Sequence, residues 1–244
     1  MTGTRAQHLP EVVLRPVRGH HAFEACVEQL ATAIRLGVYP RGTTLPSERD
    51  LAERLNVSRA TLREAMAALR QAGLVETTRG RSGGTVVTLK PRTPSGRAAA
   101  RLTPNRRRDW LDALEFRRVV EPGAAQLAAQ LQPTDVRREQ LEQAHTEVAE
   151  ARKPAAHRQA DSRFHLTVAA LSDSPRLVEA VTSVQSTLHE MLLAIPVLEA
   201  NIAHSDRQHA RVVSAILAGK PDRARRAMEE HCDDTAALLR GLVG

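Results

Sequence analysis

Two short helices that begin at serine residues are the clearest pattern of hydrophobic and polar positions in the chain. Ser47 and Ser58 each precede a stretch whose apolar residues recur at helical spacing, and Asp50 completes a capping-box pattern with Ser47. Gly73 predicts the end of the second helix. A further amphipathic helix is expected earlier, between residues 23 and 34. The three apolar stripes are Phe23, Val27, Leu30 and Ile34; Leu51 and Leu55; and Leu62, Ala65, Met66 and Leu69.

A two-stranded ribbon is expected directly after these helices, with strands at 74–78 and 85–89. The connecting residues 79–84 hold three glycines and two arginines, which predicts a flexible cationic tip. Three helices followed by such a hairpin are the plan of a winged helix-turn-helix. Arg59, Thr61 and Arg63 lie mostly off the apolar stripe, so they face outward and can enter the major groove, while the tip suits the minor groove or its phosphates.

The second half of the chain is helical throughout by the same criterion. Pro133, Pro154, Pro175 and Pro221, together with Gly219, separate the segments, whereas Pro122-Gly123 inside the first segment predicts a kink or a break. Helices of this length and spacing favour an all-α antiparallel bundle, so the predicted fold class is mainly α with a small β-ribbon wing. The predicted helices cover 109–131, 133–151, 155–172, 174–195, 199–218 and 221–240.

Charge divides the chain in the same places as the hydrophobic pattern. The net charge of +7 is distributed as +5 over residues 1–90, +6 over 91–108 and −4 over 109–244. A basic N-terminal part and an acidic C-terminal part indicate a DNA-binding domain joined to a domain that does not bind DNA. We expect a loose N-terminal arm at 1–18, a DNA-binding domain at 19–90, a basic Pro- and Gly-containing linker at 91–108, and a helical domain at 109–244.

Membrane insertion and disulfide bonding are not expected. The chain has no run of about 18 apolar residues and no apolar signal-peptide core. Its two cysteines, Cys26 and Cys232, fall in predicted helices and are expected to be buried thiols, as in a reducing cytoplasm.

Four residues of the helical half form a possible metal site. Asp161 and His165 are four positions apart and therefore share one helix face, while His209 lies on the next-to-last predicted helix and His231 on the last. Three imidazoles and a carboxylate that converge from three helices suit zinc, nickel or manganese. The alternative is that these are ordinary core or surface residues, as we expect for the other histidines.

The first third of the chain resembles the DNA-binding domain of the GntR family of bacterial transcription regulators. The resemblance rests on GVYPRG at 37–42, on LPSERDLAERLNVSRATLREAMAALRQAGLV at 45–75, and on the glycine-rich wing. It implies operator contacts by the residues at the matching motif positions. The predicted DNA-binding set, which also includes Ser58 and Arg79, is Arg49, Ser58, Arg59, Thr61, Arg63, Arg79 and Gly80.

The second half is similar to the FCD effector domain of FadR-type GntR regulators. The similarity lies in Arg117-x-x-x-Glu121, in Asp161-Ser-Arg-Phe-His165, and in His209 and His231 with the residues around them; Ser174 departs from the Asn usual there. It implies one divalent ion per chain, most naturally zinc, held by Asp161, His165, His209 and His231. It also implies a small carboxylate effector, which Arg117 would grip bidentately unless it only pairs with Glu121.

The leading interpretation is a cytoplasmic, ligand-responsive regulator that binds a palindromic operator as a homodimer, since one recognition helix reads one half-site. One alternative is a metal-dependent hydrolytic enzyme fused to a DNA-binding domain. The sequence offers no general base beyond the ligands, no nucleophile motif and no phosphate loop. Non-specific architectural DNA binding would fit the charge but would leave the acidic bundle without a role.

Overall fold

The computed structural model describes residues 9–17, 22–78, 84–89, 103–194 and 199–243, and these residues form two compact units. The N-terminal unit contains the described residues up to Leu89, and the helical unit contains those from Thr103 onward. Within these ranges no helix is both long and apolar enough to cross a membrane. Cys26 and Cys232 are both buried free thiols, as expected.

The N-terminal unit has the predicted order of helices followed by a β-ribbon. Ser47 accepts a hydrogen bond from the Asp50 amide, and Ser58 accepts one from the Thr61 amide, so both serines act as N-caps. Asn56 ends the first of these two helices in the left-handed region, with φ 53°. The elements are α1 Leu9–Val13, α2 Ala22–Arg35, α3 Glu48–Leu55, α4 Arg59–Gln71, β1 Val75–Thr78 and β2 Gly84–Val87.

The ribbon is antiparallel and is fixed to the rest of its unit by a third segment. Val75 pairs with Val87 and Thr78 with Gly84. On the other edge of β2, the Leu45 amide donates to the Thr85 carbonyl at 2.8 Å, and the Val87 amide donates to the Thr43 carbonyl at 3.0 Å. The base of the wing therefore consists of three hydrogen-bonded segments, β1, β2 and residues 43–45. These bonds fix the base of the ribbon to the rest of the unit.

The prediction of a loose arm over residues 1–18 is wrong for residues 9–17. They begin with helix α1, and Val13, Leu14 and Val17 are buried. The Val17 amide donates to the Leu55 carbonyl at 2.7 Å, which ties the segment to the end of α3. The apolar pair Val13-Leu14 was a signal for this packing, because burial of such side chains stabilises a short helix that would not form alone. Residues 1–8 and 18 lie outside the described ranges.

The helical unit consists of six long helices, in agreement with the predicted fold class. Their bounds agree with the sequence prediction within three residues, except at the start of the first helix. The helices are α5 Pro104–Leu131, α6 Asp135–Glu150, α7 Pro154–Leu171, α8 Pro175–Ala194, α9 Glu199–Leu217 and α10 Pro221–Val243.

The predicted linker is too long at its C-terminal end, because α5 begins at Pro104 rather than at Asp109. Thr103 caps the helix by accepting from the Arg106 amide at 3.3 Å, and proline is favourable in the first turn. The Arg106 guanidinium lies 5.8 Å from the Trp110 ring centroid and donates to Glu190 of α8. These contacts draw the arginine-rich residues 106–108 into the helix.

Pro122 does not break α5, so of the kink or break expected there the break is absent. The helix runs without interruption to Leu131, and Pro122 is buried in it. α5 contacts α7, α8, α9 and α10, so its packing outweighs the loss of the one backbone hydrogen bond that proline cannot donate.

One large apolar core supports the part of the bundle that holds the histidines. It includes Ala125, Ala128, Leu141, Phe164, Ile216 and Met228. A smaller core around Trp110, Leu114, Leu188, Met191 and Leu239 joins α5, α8 and α10.

Candidate DNA-binding surface and candidate metal and effector site

The residues predicted to read DNA in the N-terminal unit are at the surface. The Arg49 and Arg63 side chains are each 72% exposed, Arg59 and Ser58 are exposed, and Thr61 is half-buried at the first turn of α4. Arg49 lies 3.3 Å from Asp50, and the Nε of Arg63 lies 3.4 Å from Glu48. Exposed pairs of this kind contribute little energy, so phosphates or base edges can replace the carboxylates at low cost.

The hydroxyl of Ser58 has a structural role at the start of α4. It accepts from the Thr61 amide at 3.0 Å and lies 2.8 Å from the Thr61 hydroxyl. Both side chains are therefore fixed at the helix end that is predicted to enter the groove. Arg79 and Gly80, the predicted wing contacts, lie outside the described residues.

Three of the four predicted metal ligands meet inside the helical unit. His165 of α7, His209 of α9 and His231 of α10 are buried, and each offers a ring nitrogen within 4.8 Å of the others. The His165 and His231 rings are stacked with centroids 5.0 Å apart, and the His209 and His231 centroids are 4.6 Å apart. Phe164 lies 4.4 Å from the His209 ring and holds it from the core side.

Polar neighbours orient two of these rings. The Nδ1 of His165 lies 2.9 Å from Glu121 Oε2, at ion-pair distance but without the geometry of a hydrogen bond, and the Nδ1 of His231 lies 3.2 Å from Gln208 Oε1. With Nδ1 held from behind, Nε2 of each ring is the atom left to bind a ligand. Carboxylate or amide support behind an imidazole is the usual outer-shell arrangement of metal-binding histidines.

His209 has no hydrogen bond at either ring nitrogen to any residue that the structure describes. Its Nε2 lies 3.5 Å from Asp161 Oδ1, so Asp161 adjoins the cluster through His209, although its carboxylate is not among the three mutually close ligand atoms. A buried imidazole without partners is costly unless something binds its lone pair.

The three imidazoles suit a cation chemically. Burial lowers the pKa of His209 and His231 well below the usual value, and nearby His165 and Arg117 add to the effect. Both rings are thus neutral at physiological pH, as metal ligation requires. With Asp161 beside them, the residues fit a zinc-type ion with nitrogen and oxygen ligands.

Arg117 is buried at the centre of this site with its side chain 1% exposed. Its Nε donates to Glu121 Oε2 at 3.0 Å, and its Nη2 faces the Nε2 atoms of His231 at 3.0 Å and His165 at 3.4 Å. The pairing with Glu121 that the sequence left open is therefore present, in the core rather than at the surface. Arg117 Nη1 is buried without a partner among the described residues.

Glu121 is an ionised carboxylate that organises the site. Burial alone would raise its pKa, but Arg117 and His165 outweigh burial and hold the pKa well below the usual range. Gln185 donates to its other oxygen at 2.6 Å, and the Cys232 thiol lies 3.7 Å from Oε2. Burial raises the pKa of Cys232, so the thiol stays protonated beside the carboxylate.

A cavity of about 70 Å³ opens beside the histidines. Arg117, Arg158, Asp161 and His231 line its polar side, and leucines of α8 and α10 line its apolar side. One water molecule needs about 10–15 Å³ of such space, so the cavity holds about five to seven water-sized groups. That volume suits a small organic molecule.

Sequence reasoning missed the residues that support the site rather than form it. Gln185, Gln208 and Arg158 belong to no motif, and Glu121 was considered only as a partner of Arg117. One signal was available, because Arg158, Asp161 and His165 follow at i, i+3 and i+7 and so share one face of α7.

Comparisons with known proteins match both units. The model of the bacterial regulatory proteins of the gntR family matches residues 23–87, and the FCD domain matches residues 112–234. This chain belongs to the GntR family. It is a transcription regulator that pairs a GntR-type DNA-binding domain with an FCD effector-binding domain.

Relatives support the assignment over most of the chain. The Glc operon transcriptional activator of Escherichia coli K12 is 31% identical over 220 residues, which cover 85% of each chain. The HTH-type transcriptional regulator LutR of Bacillus subtilis is 28% identical over 85% of this chain and 96% of its own. The solved structure of E. coli McbR/YncC covers 91% of this chain and 99% of its own at 17% identity, with a TM-score of 0.54, and so shares the fold. The family consists of regulators, not enzymes, and nothing favours the hydrolytic alternative.

Proposed function

We propose that this regulator controls transcription as a homodimer on a palindromic operator, and that a divalent metal and a small carboxylate in the helical unit control its affinity for DNA. The observation that carries the proposal is the group of three buried histidines that adjoins a buried arginine and a cavity. Because such a regulator works where the chromosome lies, we place it in the cytoplasm.

The proposed DNA contacts are those of α3, α4 and the wing. Arg59 and Arg63 are exposed on α4, where an arginine could donate two hydrogen bonds to a guanine edge, and the exposed Arg49 of α3 would meet the adjacent phosphates. Ser58 and Thr61 would meet the backbone at the helix N-terminus. Arg79 and Gly80 would contact the minor groove. A second copy would present the same residues to the other half-site.

The proposed metal ligands are Asp161, His165, His209 and His231, with one ion per chain and zinc as the first choice over nickel or manganese. The unpartnered ring of His209 and the outer-shell contacts of His165 and His231 support this set. Such an ion would link three helices and would offer open coordination to a carboxylate.

Arg117 is proposed to hold the effector carboxylate. Its Nη2 faces the Nε2 lone pairs of His165 and His231, and each lone pair can serve either an N–H donor or a metal. Metal ligation by these histidines would thus free Nη2, while Nε stays with Glu121. The N–H groups of Nη2 and the unpartnered Nη1 of Arg117 would then be available to an anion bound in the cavity that Arg117 lines.

Fluorescence anisotropy with a palindromic DNA fragment from upstream of the protein's own gene tests the proposal. We expect salt-dependent binding, and at least one small organic acid that changes the affinity for the fragment when zinc is present and not after chelation. An affinity that stays constant across a library of such acids, with and without zinc, would overturn the proposed control. Arg117→Met should remove the response to the acid while DNA binding by the effector-free protein persists.

A further inference from the structure

A second arginine of the cavity has no part in the function proposed above. Arg158 of α7 lines the cavity together with Arg117, and the residue is only 9% exposed. Its Nη1 is fully buried without a hydrogen-bond partner, and the guanidinium makes no ion pair with any residue in the described ranges. Its surroundings are unlike those of Arg163 on the same helix, which pairs with Glu147 at 2.7 Å.

A buried guanidinium without a counter-ion is costly. Removal of such a group from water carries a penalty of several kcal/mol unless hydrogen bonds and an opposite charge compensate it. Asp161, three residues further along α7, is the carboxylate of the cavity whose charge acts on Arg158, and it also adjoins His209, where it is expected to serve a metal. The protein thus provides a cationic donor in the cavity and leaves the anion to be supplied from outside.

The charges of the site indicate how many negative charges that anion carries. The Arg117–Glu121 pair is neutral as a unit, and histidines that hold a metal do so as neutral imidazoles. Arg158 adds one positive charge, and a divalent ion with Asp161 adds one more. A ligand with two negative charges would bring the cavity to neutrality, whereas a monocarboxylate would leave one charge buried and unpaired.

The start of α7 at the same cavity favours an anion as well. Pro154, His157 and Arg158 of its first turns line the cavity, and the N-cap residue Lys153 makes no side-chain capping bond. Pro154 has no N–H, so the amides of Ala155 and Ala156 are the ones that receive no side-chain cap, and the helix dipole attracts negative charge there.

We propose that the effector is a short dicarboxylate, with one carboxylate near Arg117 and the histidines and the second on Arg158. The cavity of about 70 Å³ limits it to a few carbon atoms. Ser205 and Thr235, which also line the cavity, can bind hydroxyl groups on the carbon chain. This inference rests on the proposed control by a carboxylate and adds the second anionic group to it.

Calorimetric titration of the full-length, zinc-loaded protein with succinate and with butyrate tests the proposal, because the two acids share a chain length and differ in one carboxylate. L-Malate and L-2-hydroxybutyrate form a second pair of the same kind. We expect the dicarboxylate of at least one pair to bind about tenfold tighter than its partner or better, the effect of one charge-assisted hydrogen bond.

Arg158→Met should lower the affinity for that dicarboxylate to the level of the monocarboxylate and leave the monocarboxylate nearly unchanged. Arg176→Met, at an exposed position of α8 away from the cavity, is the matched control and should bind both acids like the wild type. Circular dichroism verifies that both variants fold.

The outcomes separate the two proposals. Equal affinity for the members of both pairs, or an Arg158→Met variant that keeps the dicarboxylate preference, would overturn the role of Arg158 and leave the carboxylate effector standing. No binding of any of the four acids, with binding of an uncharged or cationic compound instead, would overturn both.

Discussion

The two units of this regulator place their arginines in opposite environments. In the N-terminal unit, Arg49 and Arg63 are 72% exposed and touch only weakly held surface carboxylates. In the helical unit, Arg117 is 1% exposed and Arg158 is 9% exposed, both beside a cavity. An exposed cation suits a large polyanion that approaches from solvent, whereas a buried one needs a partner small enough to enter. The exposure of charge thus separates the two kinds of ligand within one chain.

Removal of one charge should destabilise the protein much more in a buried ion pair than in an exposed one. This loss in the free energy of unfolding is the largest effect that we expect. Glu121→Gln keeps the shape of the side chain but leaves Arg117 without its counter-charge, so we expect a loss of about 3–5 kcal/mol in the free energy of unfolding. Glu115→Gln, also on α5, removes the exposed pair with Arg240 of α10 and should change stability by less than about 1 kcal/mol. Urea unfolding measures both, and similar losses would remove the distinction between the two environments.

Removal of exposed arginines should affect DNA affinity alone. Arg59→Ala and Arg63→Ala should each weaken binding to the operator by about 1–3 kcal/mol, because a base or phosphate contact is lost while the core is untouched. Arg211→Ala, which removes an exposed pair with Glu230 in the helical unit, is the control and should bind the operator normally. Anisotropy titrations with unchanged affinity in both α4 variants would contradict the assignment of the recognition helix.

The buried histidines should make the metal-free protein sensitive to acid. His209 and His231 have lowered pKa values in the folded state, so the unfolded chain takes up protons first when the pH falls below about 6.5. Stability is therefore complete above that pH and declines below it, by up to about 1.4 kcal/mol per pH unit for each imidazole that stays neutral. The lowered pKa of Glu121 acts only at still lower pH.

Thermal unfolding after chelation, followed between about pH 7.5 and 5.5, measures this dependence. His209→Leu should flatten it, whereas His204→Leu, which alters an exposed histidine paired with Asp234, should keep the wild-type slope. A wild-type stability that does not change over this interval would show that the imidazoles are not held neutral.

The smallest effect is expected at the N-cap of the recognition helix. Ser58→Ala should lower stability by about 1 kcal/mol, because the Thr61 amide loses its acceptor, and Ser58→Gly should cost a few tenths. Urea unfolding of the two variants tests this difference. Equal stability of Ser58→Ala and the wild type would mean that the serine contributes through DNA contact alone.

The N-terminal unit was predictable from the sequence because its signals are local. Serine caps, the left-handed Asn56 and alternating strands act over a few residues, and the structure reproduces them. The boundaries between the bundle helices were also predictable, because prolines mark the starts of several helices and act locally. The break expected at Pro122 is absent because α5 packs against four helices, and the residues next to Pro122 do not indicate that packing.

The buried site was predictable only in part. The spacing of Asp161 and His165 indicated one helix face, but the placement of His209 and His231 beside them depends on how three helices cross. The contacts of Glu121, Gln185 and Gln208 join positions far apart in the chain, and no local pattern specifies them. The helix α1 was missed because its stability comes from burial of Val13, Leu14 and Val17.

The central claim, that the histidine cluster of the helical unit holds a metal ion, is tested most directly by zinc titration of untagged protein against a chromophoric chelator. We predict one tightly bound ion per chain in the wild type and in the His204→Ala control, and loss of that ion in His231→Ala and His209→Ala. Failure of the wild type to compete for zinc, nickel or manganese would contradict the account, as would unchanged uptake after replacement of His209 and His231.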